Sequence, residues 1–203
     1  RMAQIEGLAG LHLDYIRFPD VILPITLQPK YGLVQDREYP PFDYGYHPEC
    51  RAQFKAQTGL DPLELEDPSA NEAWRQFCYD QITAVVRQIA ERVHARGKPL
   101  TAAVFPTPEI ARTLVRQDWP RWPLDAVMPM IYHNFYDKPV AWIETATREG
   151  VDALGGRMPL YSGLFVPALT PEELGQAIDY ALAGGASGIS LFNVESLTDA
   201  HWQ

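Results

Sequence analysis

Five short apolar segments alternate with amphipathic ones along this chain, and that alternation leaves few folds open. Residues 10–17 read as a strand of period two, stopped by Phe18-Pro19. Residues 71–96 place Trp74, Phe77, Cys78, Ile82, Val85, Ile89 and Val93 at three- and four-residue steps, which predicts a long helix ended by Gly97. Further strands are predicted over 100–105, 125–132, 160–165 and 188–194. Helices fall between them over 108–116, 141–149 and 171–182. Thr170 followed by Glu173 forms a capping box for the last helix, and Gly184-Gly185 reads as a tight turn into the last strand. Nearly continuous apolar strands alternating with helices argue for a parallel sheet with covered faces. The open doubly wound sheet and the closed eight-fold barrel are the two solutions. No glycine-rich phosphate loop follows a strand, so the dinucleotide-binding version loses weight and no cofactor is expected.

Composition narrows the function classes. Of 203 residues, 17 are basic and 26 acidic, a net charge of -9, which argues against a nucleic-acid partner. No apolar run approaches the roughly 18 residues of a membrane span, and no signal peptide is visible at Arg1. Two cysteines, Cys50 and Cys78, are too few for a disulfide framework or a cysteine-rich zinc site. Residues 20–68 are rich in proline and aromatics. A stretch of that length predicts a functional insertion with a short helix near 47–59.

The polar residues gather where the predicted strands end. The first strand offers His12, Asp14 and Arg17, with Tyr15 between them; the second ends at Phe105. The third brings Tyr132, His133, Asn134 and, later, Asp137. The fourth brings Ser162 and Phe165, and the last Asn193 and Glu195. In an α/β barrel that rim is the active face. Asp14 is expected inside an apolar strand, where an unpaired carboxylate costs several kcal/mol. Two readings stand: a buried pair with Arg17, or a catalytic carboxylate oriented by it. Glu195 reads as a helix-starting acid or as the second member of an acid/base pair of the kind glycoside cleavage needs. His12, Asp14 and His133 are a weak set for a metal, and no metal is expected. Phe135, Tyr136 and Trp142 add rings on which sugars stack.

The segment Leu11-His12-Leu13-Asp14-Tyr15-Ile16-Arg17-Phe18-Pro19 resembles a signature of the family-10-like glycosyl hydrolases. These are bacterial barrel proteins related to the divisome-associated peptidoglycan glycosidases. Ala103-Val104-Phe105-Pro106, Gln117-Asp118-Trp119-Pro120-Arg121-Trp122 and Asp125-Ala126-Val127-Met128-Pro129-Met130-Ile131-Tyr132 agree in order, so the resemblance spans about residues 10–132. It implies a (β/α)8 TIM-type barrel, a carbohydrate substrate and an extracytoplasmic, secreted or periplasmic location. It also implies Asp14 as a pocket carboxylate with Arg17 beside it. In such proteins the signature strand lies near mid-barrel. The expectation is therefore a single domain over 1–203, forming the carboxyl-terminal five strands and four helices of a barrel. The first strand-helix units would be supplied by another part, a second chain or self-pairing. The functional expectation is a glycoside hydrolase with Asp14 and Glu195 as catalytic carboxylates. His12, Tyr15, Arg17, Phe105, Tyr132, His133, Asn134 and Asn193 would bind substrate. The rivals are a non-catalytic carbohydrate-binding barrel and a metal-dependent hydrolase using His12, Asp14 and His133.

Overall fold

The computed structural model describes residues 2–202. Strand β1 is Leu11–Leu13. The insertion that follows carries helix α1, Pro48–Thr58, and leads into α2, Glu72–His94. The remainder alternates β2 (Leu100–Val104), α3 (Pro108–Val115), β3 (Ala126–Pro129), α4 (Trp142–Leu154), β4 (Tyr161–Phe165), α5 (Pro171–Ala183) and β5 (Gly188–Phe192). All pairings are parallel, β1 with β2, β2 with β3, and β4 with β5. The parallel α/β expectation therefore holds.

The barrel expectation does not. The described residues form five α-helices and two small parallel sheets, of three and two strands, in a compact α/β fold. A barrel wall needs continuous ladders, and the ladder is broken between β3 and β4. Among the described residues, two isolated bridges, Val127 to Leu160 and Met130 to Gly163, link the sheets. Pro129 ends β3 without an N–H to donate. Gly163 keeps its bridge to Met130 and accepts from the Ile131 N–H at 3.0 Å, and a side chain on it would meet the Pro129 carbonyl oxygen at 2.6 Å. β1 contributes only three residues. The backbone turns at Tyr15, which takes a left-handed φ of 53°, a conformation that costs a residue with a side chain roughly 1–2 kcal/mol.

Local sequence chemistry accounts for the helices. Asn71 caps α2 by accepting from the Trp74 N–H at 2.9 Å. Thr170 and Glu173 form the predicted box on α5, with bonds of 3.2 and 2.9 Å. α4 runs past Gly150, which was expected to close it. A Cβ there would lie 2.7 Å from Leu160 and 3.2 Å from Trp119, so this glycine permits close helix-to-strand packing. The helix stops instead at Gly155, whose φ of 56° suits a residue without a side chain.

One apolar core packs α2, α3 and the Trp119–Arg121 turn against β2 and β3. A second packs α4 and α5 around Leu164. A third, built from Phe54, Trp74, Phe77 and Cys78, holds α1 against α2. The insertion is fastened by Arg116, only 1% exposed, which donates to Glu38 at 2.6 and 2.9 Å and to Asp43 at 2.8 Å. A buried guanidinium is tolerable only with its charge matched, and here two carboxylates match it. No helix is long and apolar enough to cross a membrane among the described residues.

Candidate functional site

A cleft of about 570 Å³ opens at the carboxyl ends of the strands. In open parallel sheets this is where backbone and loops converge on a ligand. All five strands or their extensions reach it: His12 and Asp14 from β1, Phe105 from β2, Met130 and Tyr132 from β3, Phe165 from β4, and Phe192 from β5. The opposite wall is an arm of the insertion, residues 21–35, which contributes Leu23, Pro24, Leu27 and Tyr31.

Two buried amides fold the arm. Gln28 donates to the carbonyls of Leu23 (2.9 Å) and Gln35 (3.1 Å) and accepts from the Gln35 N–H (2.8 Å). Gln35 accepts from the Leu23 N–H (2.9 Å) and donates to the Val21 carbonyl (3.3 Å). These side chains replace the ladder the arm lacks, satisfying backbone groups that burial would otherwise penalise. Thr26 fastens the arm across the cleft, its hydroxyl donating to the Phe135 carbonyl at 3.0 Å. The insertion expected over residues 20–68 thus supplies one wall of the cleft.

Asp14 is exposed and lies just beyond β1, because the turn at Tyr15 takes the chain out of the strand. Its carboxylate accepts the Tyr15 N–H at 2.8 Å. The expected burial inside an apolar strand, and the expected pairing with Arg17, are both overturned. Arg17 instead lies over the rings of Phe105 (4.8 Å) and Tyr15 (5.2 Å) and donates to Asp20 at 3.3 Å. Asp20 also lines the cleft. Burial lifts its carboxyl above the usual range, against the opposing pull of Arg17. His12 shares a 2.8 Å hydrogen bond with Thr101. Burial lowers its pKa, with the Asp14 charge acting in the other direction, so the ring is neutral at pH 7.

Four rings form a continuous floor. Tyr132 lies 5.2 Å from Phe165, 5.7 Å from Phe135 and 6.0 Å from Phe192, and Phe165 stacks on Phe192 at 5.9 Å with planes 12° apart. Phe192 is half exposed, leaving a face free. The Tyr132 hydroxyl is pushed up to about 12 by burial and by the Asp14 charge, so it stays protonated as a donor. Gln117, 1% exposed, accepts from the Phe105 N–H at 2.9 Å and donates to the Ile16 carbonyl at 3.0 Å. It thereby stitches the ends of β1 and β2 together beneath Arg17.

Of the expected residues, the cleft gathers His12, Asp14, Tyr15, Arg17, Phe105 and Tyr132. It does not gather the others. Glu195 is exposed on the turn Val194–Ser196, outside the cleft lining, so its expected pairing with Asp14 is corrected. Asn193 also lies outside the lining and accepts from the Ser196 hydroxyl at 2.6 Å. His133 and Asn134 fall on the far side of the Tyr132 turn, away from the lining, and His133 is 8% exposed with an unpartnered Nδ1. The trio His12, Asp14 and His133 is therefore not assembled. No group of three or more metal-binding side chains gathers among the described residues. Ser162 points away from the cleft to share a 2.8 Å bond with Thr147, because alternation along β4 gives the cleft face to Gly163 and Phe165.

Asp20 and Gln117 are the residues that sequence reasoning missed. Asp20 had a signal: it stands three residues after Arg17, the same spacing as Asp14 before it. Gln117 had none, since its role depends on two strand ends meeting. Comparison with known proteins adds no kinship to this geometry: no protein-family model matches the chain, and no curated protein matches it.

Proposed function

We propose that the protein is a glycoside hydrolase acting on a polysaccharide or other glycan, with the cleft as its active site and Asp14 as its essential carboxylate. The observation that carries this reading is an exposed carboxylate set beside a floor of aromatic rings in a cleft of about 570 Å³. Pyranose rings present apolar C–H faces that stack on such a floor, while a carboxylate hydrogen-bonds their hydroxyls and stabilises positive charge developing at the anomeric carbon. The volume falls in the range of small-molecule sites. Support also comes from the resemblance of the Asp14 segment to the family-10-like glycosyl hydrolases, which carries the expectation of an extracytoplasmic location. The test is turnover of a panel of soluble polysaccharides and oligosaccharides, read as new reducing ends. Asp14→Asn should lower turnover by orders of magnitude while leaving oligosaccharide binding in place, and unchanged turnover in that variant removes the reading.

A non-catalytic carbohydrate-binding domain is the second reading. It is favoured by the position of Glu195, which leaves Asp14 without its expected partner. A protein that binds oligosaccharides and turns over none of the panel decides for it.

A further inference from the structure

Resting on the hydrolase reading, we propose that Asp20 is the second carboxyl of the cleft, donating the proton that the leaving glycosidic oxygen needs, with Arg17 as its positioning residue. Glycosidic cleavage takes two carboxyl groups with different tasks. Asp14 and Asp20 are the carboxyl-bearing residues in the cleft lining, and Glu195 is not among them. Their surroundings differ in the way the two tasks require. Asp14 is exposed and held by a single backbone N–H at 2.8 Å. Asp20 is three-quarters covered, with 24% of its side chain exposed, and its one side-chain partner is an arginine at a long 3.3 Å. Burial holds its carboxyl above the usual range, and Arg17 limits the rise. The groups facing it are Arg17, on its own segment, and the hydroxyl of Tyr136, on the turn after β3, which burial and the Asp20 charge both push up so that it remains a neutral donor. Arg17 is itself held against the Phe105 and Tyr15 rings, which fixes the guanidinium that Asp20 pairs with.

The reaction balances with the glycoside and water alone. Asp20 gives its proton to the glycosidic oxygen as the C1–O bond breaks and its electron pair passes to that oxygen. The positive charge at C1 faces the Asp14 carboxylate. Water then adds to C1, and its released proton returns to Asp20.

The experiment compares wild-type protein, Asp20→Asn and Asp20→Ser on two sets of glycosides of common hexoses and N-acetylhexosamines. One set carries dinitrophenolate, which leaves without protonation; the other carries phenolate, which needs it. Asp20→Asn is nearly isosteric, and Asp20→Ser serves if the amide misfolds. We expect a loss on the order of 10²–10⁴-fold on phenyl glycosides, a loss under about tenfold on dinitrophenyl glycosides, and disappearance of the alkaline limb of kcat/KM. In Arg17→Met that limb should move to higher pH, because the charge holding the Asp20 carboxyl down is gone. An equal loss on both sets, no loss, or an unmoved limb overturns the assignment while the hydrolase reading stands. A wild-type protein that turns over no member of either set overturns both.

Discussion

The two ends of the parallel strands treat an aspartate in opposite ways. At the amino end, Asp125 accepts the Leu100 N–H at 2.7 Å and pairs with His94 at 2.9 Å. Burial pushes its carboxyl up, but these bonds outweigh burial and leave it below the usual range. At the carboxyl end, Asp20 has one long ion pair, and burial wins. The side chain is the same; the number of donors aimed at it differs. A carboxylate whose partners are complete fastens the β2–β3 register. One whose partners are incomplete is left with a raised pKa, the state the proposed proton donor needs.

Asp14 should break the symmetry of the ends most sharply. Asp14→Asn is expected to lower glycan turnover by on the order of 10²–10⁴-fold. The melting temperature should stay within a degree or two of wild type, since the carboxylate is exposed and bound by a single N–H. Steady-state kinetics beside calorimetry check this, and a large fall in melting temperature would mean that Asp14 is structural.

Phe165→Ala tests the floor. It removes a ring stacked on Phe192 and packed on Tyr132. The loss of an aromatic pair, about 0.5–1.5 kcal/mol, should appear as a roughly two- to tenfold weaker oligosaccharide affinity by titration calorimetry. Phe192→Ala should do the same with less effect on stability, because half of that ring already faces solvent.

The smallest effects carry opposite signs. Asp125 has a folded pKa below its unfolded one, so its stabilisation is present above the ordinary carboxylate range and is lost as pH falls through the lowered value. Asp125→Asn should therefore lower the melting temperature at pH 7 by the equivalent of about 1 kcal/mol or less, leave glycan turnover unchanged, and have little effect near pH 3. Asp20 is the reverse case. Its folded pKa is raised, so ionising it penalises the fold as pH rises through that value. Asp20→Asn should raise the melting temperature slightly at pH 7 and not at pH 3. Melting curves of both variants at the two pH values give the comparison directly, and like signs would end it.

Features decided by neighbours in sequence were legible in advance. The Thr170–Glu173 box, the Asn71 cap of the long helix and the meeting of His12, Asp14, Arg17, Phe105 and Tyr132 at strand ends all rest on spacing or on strand direction. The misreadings share another origin. Gly150 looked like a helix stop because the closeness of Leu160 and Trp119 is invisible in one dimension. Asp14 looked buried because the left-handed turn at Tyr15 leaves no mark in an apolar run. Arg17 had an aspartate three positions away on either side, and only the fold chooses Asp20. Glu195 closes the last strand in sequence, yet the turn at Val194–Ser196 carries it off the cleft. The barrel expectation failed at β3 and β4, where Pro129 has no N–H to give and isolated bridges stand in place of a ladder.

The Gln28–Gln35 clasp has a consequence for how a protein of this kind changes over generations. Because the arm closes on its own amides, with Thr26 joined to the Phe135 carbonyl through both its N–H and its hydroxyl, its tip can vary in length and chemistry without disturbing the segment between β1 and the arm that carries Asp14 and Asp20. Residues such as Tyr31, 61% exposed at the cleft wall, sit on a replaceable cassette. Selection can retune what the cleft admits through the tip of the arm while the segment that leaves β1 keeps its place.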